Sequence, residues 1–176
     1  MAARILLLHP QGPGQFLHLA PYLAARGHDV VFLTRGQDFG LPGVRVCRHA
    51  PHRAPPRRRR KSWNSTPTRP CTIPTRQRLG HIAALAGQAG LRACRALVTE
   101  GFVPDVVLAH PGWGDALFLR EVFPTARIVL YCEYFWRPDG ADVGFLDHAG
   151  TDADARCALR MRNAPLLASL AEADAL

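Results

Sequence analysis

Short apolar segments alternate with segments of helical periodicity along this chain, and that alternation limits the possible folds more than any other feature. Three of them, Ala3–His9, Asp29–Thr34 and Pro104–His110, each hold four consecutive apolar residues between polar or turn-forming ones. Runs of this length are typical of strands that are buried on both faces of a sheet. Strands that alternate with helices over short links predict a parallel sheet with right-handed crossovers.

Weaker segments extend this pattern along the chain. Gly43–Cys47 predicts a short strand, and Ala126–Trp136 begins as another. Apolar residues at helical spacing predict a helix over Leu79–Glu100, and a shorter helix is predicted over Gly114–Phe123, ending before Pro124.

Two prolines interrupt the first and last predicted helices. Pro21 follows Phe16 and Leu19 in the first one and predicts either a kink or a late start. The last helix is predicted to bend or break near Pro165 and to continue to the end of the chain. The fold class that follows is α/β: a Rossmann-like, doubly wound, mostly parallel sheet in a single domain over residues 1–176.

Charge is distributed unevenly along the chain, whose formal net charge is +8. Half of its 22 basic residues and none of its 14 acidic ones lie between Arg45 and Gly80. Residues 48–78 are rich in Arg and Pro without an apolar period, which predicts a basic loop. Its Arg57–Lys61 run suits an anionic membrane surface better than nucleic acid, because only Trp63 interleaves it. A solvated loop and a stretch translated out of frame are the alternatives.

Cysteine usage and the lengths of apolar runs indicate the cellular context. The five cysteines are scattered without a C-x-x-C pair, which predicts reduced thiols and no zinc site or disulfide framework. No apolar run reaches the ~18 residues of a membrane span, and the N-terminus lacks a signal-peptide pattern. The predicted location is the cytoplasm, with peripheral contact to the inner face of the membrane as an option.

Ligands of doubly wound sheets bind beyond the carboxyl ends of the strands. Three predicted loops lie there: His9–Phe16, His110–Asp115 and Cys132–Gly144. In the first loop, Gly12 and Gly14 would let backbone N–H groups approach an anion. Leu17 stands where the dinucleotide fingerprint needs a third glycine, and no P-loop lysine is present, so the NAD and ATP fingerprints both fail. A tight turn that needs glycine is the alternative reading of this loop.

The other two loops carry residues suited to sugar chemistry. His110 ends a strand and could act in acid–base chemistry or bind a hydroxyl or phosphate, or it could be structural. Trp113 could stack on a sugar face or cap the core. Glu133 precedes the aromatic segment Tyr134–Trp136, and an acid beside aromatic rings is typical of a carbohydrate site. An apolar edge that contacts another domain is the alternative.

Longer stretches resemble a known family. "ILLLHPQGPGQFLHLAPYLAARGHDVVFLT", "GFVPDVVLAHPGWGDALFLREVFPTARIVLYCEYFW", "GADVGF" and "RMRNAPLLASLAEAD" resemble the N-terminal domain of bacterial family 4 glycosyltransferases, in the branch that carries "HPGWG" and Y-x-E-[FY]. This resemblance implies a GT-B enzyme, in which two Rossmann-like domains face each other across a cleft. The N-terminal domain would hold the acceptor and the C-terminal domain the nucleotide-sugar donor. The reaction would retain the anomeric configuration without a required metal.

The resemblance also implies roles for residues of the three loops. His110 and Glu133 match the motif positions expected to be catalytic. The family has a glycine-bearing loop that faces the donor phosphates, and this loop corresponds to Gly12, Gly14 and Gln15. The acceptor-binding positions are His9, Trp113, Gly114, Asp115, Tyr134 and Trp136. No cofactor and no metal is expected. The nucleotide-sugar is a substrate, and the C-terminal domain would hold most of it.

Two departures from the family shape the functional expectation. Residues 48–78 are more basic than the family is there, and the chain ends where the family passes into its donor domain. The chain is therefore expected to be the acceptor-binding half of a glycosyltransferase with negligible turnover by itself. Its partners would be a nucleotide-sugar, a glycan or lipid-linked acceptor, and a donor domain on a separate chain.

Two hypotheses from other functional classes remain. One is a non-catalytic binding module that recruits a partner through its cleft aromatics. The other is a nucleic-acid or membrane-surface protein that acts through Arg57–Lys61, and deletion of residues 50–78 without loss of such binding would exclude it.

Overall fold

The strands of this chain form one parallel sheet. The computed structural model describes residues 1–37, 39–49, 75–138 and 153–176, with the backbone alone for 75–79. Within these ranges the sheet has the order β3-β2-β1-β4-β5. The strands are β1 Arg4–Leu8, β2 Asp29–Thr34, β3 Arg45–Arg48, β4 Val106–Ala109 and β5 Arg127–Leu130. The helices are α1 Leu19–Ala25, α2 Thr75–Thr99, α3 Leu119–Val122 and α4 Ala153–Leu170.

The strand order places a topological switch point at the centre of the sheet. Leu6 in β1 pairs with Val31 of β2 on one side and with Val107 of β4 on the other. The chain runs from β1 outward to β3 and then returns through α2 to β4, so connections leave β1 and β4 in opposite directions. The predicted fold class, a doubly wound Rossmann-like α/β domain, is confirmed, and the crevice between β1 and β4 is where such sheets bind ligands.

Alternate side chains of each strand enter two separate cores. Leu6 and Leu8 lie in a core with Leu97 of α2 and Leu119 of α3. Ile5 and Leu7 face the other way and pack with Phe16, Ala20 of α1 and Phe32 of β2. Because helices cover both faces, the strands must be apolar on both sides, which explains their continuous apolar runs.

The structure tests the predicted bounds of the first and third helices. The helix α1 begins at Leu19 with Pro21 in its first turn, so the late start is confirmed. The helix predicted over Gly114–Phe123 forms only at Leu119–Val122. Its first part is not helical, since Gly114 has φ +96°. Only glycine fits at this position, because a Cβ there would overlap the backbone of Ala83.

The last helix does not extend to the end of the chain, contrary to the prediction. It continues through Pro165 and ends at Leu170. The chain then returns to the outer edge of β5, where Leu130 N–H donates to the Ala175 carbonyl at 3.0 Å. The Asp174 carboxylate accepts a hydrogen bond from Ile128 N–H at 2.7 Å. This bond, and then the nearby Arg120, lower the pKa of Asp174.

Arg120 holds this C-terminal segment in place. Its guanidinium donates to the Asp174 carboxylate at 2.8 Å, to the Glu172 carbonyl at 2.9 Å and to the Ala126 carbonyl at 2.9 Å. We expect Arg120→Met to destabilise the segment by about 2 kcal/mol, because hydrogen bonds to a charged group are lost. Amide exchange at Ile128 and Leu130 should then be faster than in the parent. Unchanged exchange at both amides would contradict this role.

Several predictions concern residues outside the described ranges. They are the greater part of the basic loop at 48–78, with Arg57–Lys61, and the segment "GADVGF" at 140–145. Among the described helices, none has the length and apolarity that crossing a bilayer requires.

Candidate functional site

A cavity of about 490 Å³ lies beyond the carboxyl ends of β4 and β5, between α2 and α4. It contains residues from two of the predicted loops: His110, Trp113, Glu133, Tyr134 and Trp136. The helices supply the remaining wall. They contribute Ile82 and Ala83 from α2, and Met161, Arg162, Asn163, Pro165 and Leu166 from α4.

His110 and Glu133 form a polar pair in the lining of the cavity. The His110 Nε2 and Glu133 Oε2 atoms lie 3.2 Å apart. The Gly112 N–H points to His110 Nδ1 at 3.4 Å, which leaves the neutral ring's proton on Nε2, facing the carboxylate. The His110 side chain is 8% exposed and that of Glu133 is 54% exposed. A ligand hydroxyl can therefore reach the Glu133 carboxylate. The buried His110 imidazole lies beside this carboxylate and stabilises its charge.

His9 connects the first loop to this pair. It follows β1 as His110 follows β4, and the two ring centroids are 5.0 Å apart. The Gln11 N–H donates to His9 Nδ1 at 3.1 Å. Burial, and then the neighbouring His110, lower the pKa of His9, while the Gln15 side chain opposes that shift.

The tight turn of the first loop requires its two glycines. Gly14 has φ +48°, and a Cβ there would lie 2.6 Å from the His9 ring. Gly12 donates its N–H to Thr34 Oγ1 at 3.0 Å, and a Cβ there would lie 2.6 Å from Phe39. These contacts agree with the alternative reading of a tight turn that needs glycine.

The lowered pKa of His9 predicts a pH-dependent stability. As the pH falls through about 6.5, the unfolded chain binds a proton at His9 that the folded chain resists, so the free energy of unfolding decreases. Above that range neither state holds the proton and the effect vanishes. We expect His9→Gln to reduce the difference between urea midpoints measured at about pH 7.5 and 5.5. The exposed His18→Gln should leave the difference as in the parent, and equal effects of both variants would refute this assignment.

An asparagine of α4 holds the aromatic loop that follows β5. Asn163, which is buried, accepts from Trp136 N–H at 3.0 Å and donates through Nδ2 to the Trp136 carbonyl at 2.8 Å. The Arg162 guanidinium lies 4.0 Å from the Trp136 ring centroid. The ring centroids of Tyr134 and Trp136 are 4.4 Å apart. Arg162 and Asn163 are thus site residues that the sequence reasoning missed. A polar Asn directly before the apolar run Ala164–Leu167 was the available signal.

Asp115 and Gly114 lie behind the cavity and do not line it. The Asp115 carboxylate is fully buried, and Arg35 contacts it through Nε at 2.7 Å and through a hydrogen bond from NH2 at 2.8 Å. The first contact is an ion pair that lacks hydrogen-bond alignment. His49 Nε2 lies 3.3 Å from the same carboxylate. Asp115 therefore joins the segments that follow β2, β3 and β4.

Comparisons with known proteins give one family match and several structural ones. A family model described as the glycosyl transferase family 4 group matches residues 26–176. The chain is similar to the Streptomyces sp. SF2575 glycosyltransferase SsfS6, complexed with thymidine diphosphate, at 19% identity and a TM-score of 0.46. That match covers 97% of this chain and 45% of the other.

Two further solved structures are similar at lower identity. The calicheamicin glycosyltransferase CalG4 has 15% identity and a TM-score of 0.45, over 99% of this chain and 42% of its own. SnogD from Streptomyces nogalater has 17% identity and a TM-score of 0.43, over 94% of this chain and 42% of its own. This chain thus spans less than half the length of these structures. A search of curated proteins found no match.

Proposed function

Because this chain belongs to the glycosyl transferase family 4 group, we propose that it is the acceptor-binding half of a GT-B enzyme. That enzyme would transfer a sugar from a nucleotide-sugar to a glycan or lipid-linked acceptor. The observation that carries the proposal is the cavity, in which the His110–Glu133 pair stands beside the rings of Trp113, Tyr134 and Trp136. Its volume is in the range of sites that hold a small molecule.

The pair gives the acceptor hydroxyl a defined position. Glu133 accepts the hydrogen bond of that hydroxyl on its exposed carboxylate, and His110 keeps the carboxylate oriented through Nε2. A carboxylate in this place assists removal of the hydroxyl proton as the new glycosidic bond forms. The aromatic rings orient the acceptor by stacking.

Other assignments are part of the same proposal. Gly12, Gly14 and Gln15 would face the donor phosphates from the first loop, and the reaction would proceed with retention and without a metal or cofactor. Membership in the "HPGWG" branch and a cytoplasmic location are likewise proposed.

A transfer assay tests the proposal. Residues 1–176 are joined to the donor domain of a family member and incubated with nucleotide-sugars and a panel of glycan and lipid-linked acceptors. We expect transfer to at least one acceptor by the joined protein. Transfer to none, by a folded protein that binds its nucleotide-sugar, would contradict the proposal. Acceptor binding without transfer would favour the non-catalytic binding module instead.

A further inference from the structure

We propose that the cavity takes an amphipathic anionic acceptor, in which an apolar body carries one phosphate-like group in addition to the hydroxyl that receives the sugar. This inference deepens the proposed function and rests on it for the identity of the acceptor site. Three features of the cavity support it: its apolar walls, the few polar groups that can bind a ligand, and the position of one arginine.

The walls of the cavity are mainly apolar, and several of the side chains are exposed. Ile82 is 55% exposed, Trp113 52%, Tyr134 41% and Met161 39%. Large apolar side chains grouped around a cavity leave an apolar surface in contact with water, which indicates a binding site. Aliphatic side chains such as Ile82 and Met161 offer no hydrogen bonds to sugar hydroxyls, so they suit an apolar body better than an oligosaccharide.

Few polar side chains of the cavity are available to a ligand. Both amide atoms of Asn163 are bonded to the backbone of Trp136. Glu133 and His110 are paired with each other. Arg162 is the remaining charged group of the lining, and among the described residues its guanidinium makes no ion pair or hydrogen bond.

Arg162 is positioned before any ligand arrives. Its guanidinium stacks on the Trp136 ring at 4.0 Å, and the backbone of Trp136 is itself held by the buried Asn163. Stacking of this kind orients the guanidinium, and its five N–H donors match the oxygens of a phosphate or carboxylate. The negative charge of Glu133 repels an anion. The two charges therefore orient the acceptor, with its anion at Arg162 and its hydroxyl at Glu133.

Calorimetric titration of residues 1–176 with three probes below their micelle concentrations tests this inference. Octyl phosphate carries both the apolar chain and the anion, octyl glucoside carries the same chain with an uncharged sugar in place of the anion, and inorganic phosphate carries the anion alone. We expect octyl phosphate to bind tightest. We expect Arg162→Gln to weaken its binding roughly tenfold while octyl glucoside binds as before. Arg162→Lys, which keeps the charge without the planar fork, should fall between the parent and Arg162→Gln.

Matched controls separate this site from general effects. Arg160→Gln removes an exposed arginine of α4 outside the cavity and should leave all three affinities unchanged. Met161→Gln should weaken both octyl probes, whereas Leu167→Gln, which is exposed outside the cavity, should weaken neither. Equal losses in Arg160→Gln and Arg162→Gln, or equal affinities for octyl phosphate and octyl glucoside, would overturn the inference. The titration does not measure sugar transfer, so such a result would overturn this inference alone. The transfer assay would still test the proposed function.

Discussion

Glu133→Gln should lower kcat of the joined transferase by about 10²- to 10⁴-fold, with a much smaller change in KM. The amide keeps the size of the side chain but cannot take part in removing the proton of the acceptor hydroxyl. The exposed position of Glu133 means that the substitution leaves the fold intact. Initial rates at varied acceptor concentration separate the effect on kcat from that on KM.

The partner of Glu133 provides an internal check on this expectation. His110→Gln should also lower kcat, since Nε2 orients the carboxylate at 3.2 Å. Because the two residues act as a unit, the double variant should be about as slow as the slower single variant. The control is Glu121→Gln, an exposed acid on α3, which should leave kcat unchanged. A rise in KM alone in Glu133→Gln would show that the carboxylate only binds the acceptor.

Arg35→Met should lower the free energy of unfolding by about 3–5 kcal/mol, because it leaves the buried Asp115 carboxylate without its cation. Urea denaturation of the parent and the variant measures the change. The exposed ion pair of Arg45 with Glu100 is the matched control, since both of its side chains are about half exposed. Arg45→Met should cost less than about 1 kcal/mol.

A double variant tests whether the buried charge is the cause. Arg35→Met with Asp115→Leu removes both charges and should recover a large part of the lost stability, because apolar residues often replace a buried pair at little cost. If Asp115→Leu lowered the stability of Arg35→Met as much as it lowers that of the parent, the two residues would act independently. This explanation would then be wrong.

The strands β1, β2 and β4 could be predicted well from the sequence because each is a local apolar run. The bounds of β2 match the predicted Asp29–Thr34, and the order of elements fixes the parallel topology through handedness and short links. The predicted helix at Gly114–Phe123 was wrong at its start because the constraint there is not local. Gly114 packs on Ala83, which lies on a different helix.

The candidate site was predicted in part for a similar reason. Loops at the carboxyl ends of neighbouring strands must meet at one edge of the sheet, so His110 and Glu133 could be placed together from sequence order. Arg162 and Asn163 could not be placed there, because α4 reaches the site only by packing against α2. Asp115 was predicted to bind the acceptor, but its carboxylate meets Arg35, 80 residues away along the chain.

The sequence by itself thus determined the fold class, the two loops that carry His110 and Glu133, and the family resemblance, since each depends on short segments read in order. The tertiary structure alone decided which polar groups remain available to a ligand. Among the described residues, Arg162 makes no ion pair or hydrogen bond and stacks on Trp136, whereas Asp115 and the amide of Asn163 are already bonded. Availability depends on partners distant in sequence, and only packing brings those partners together.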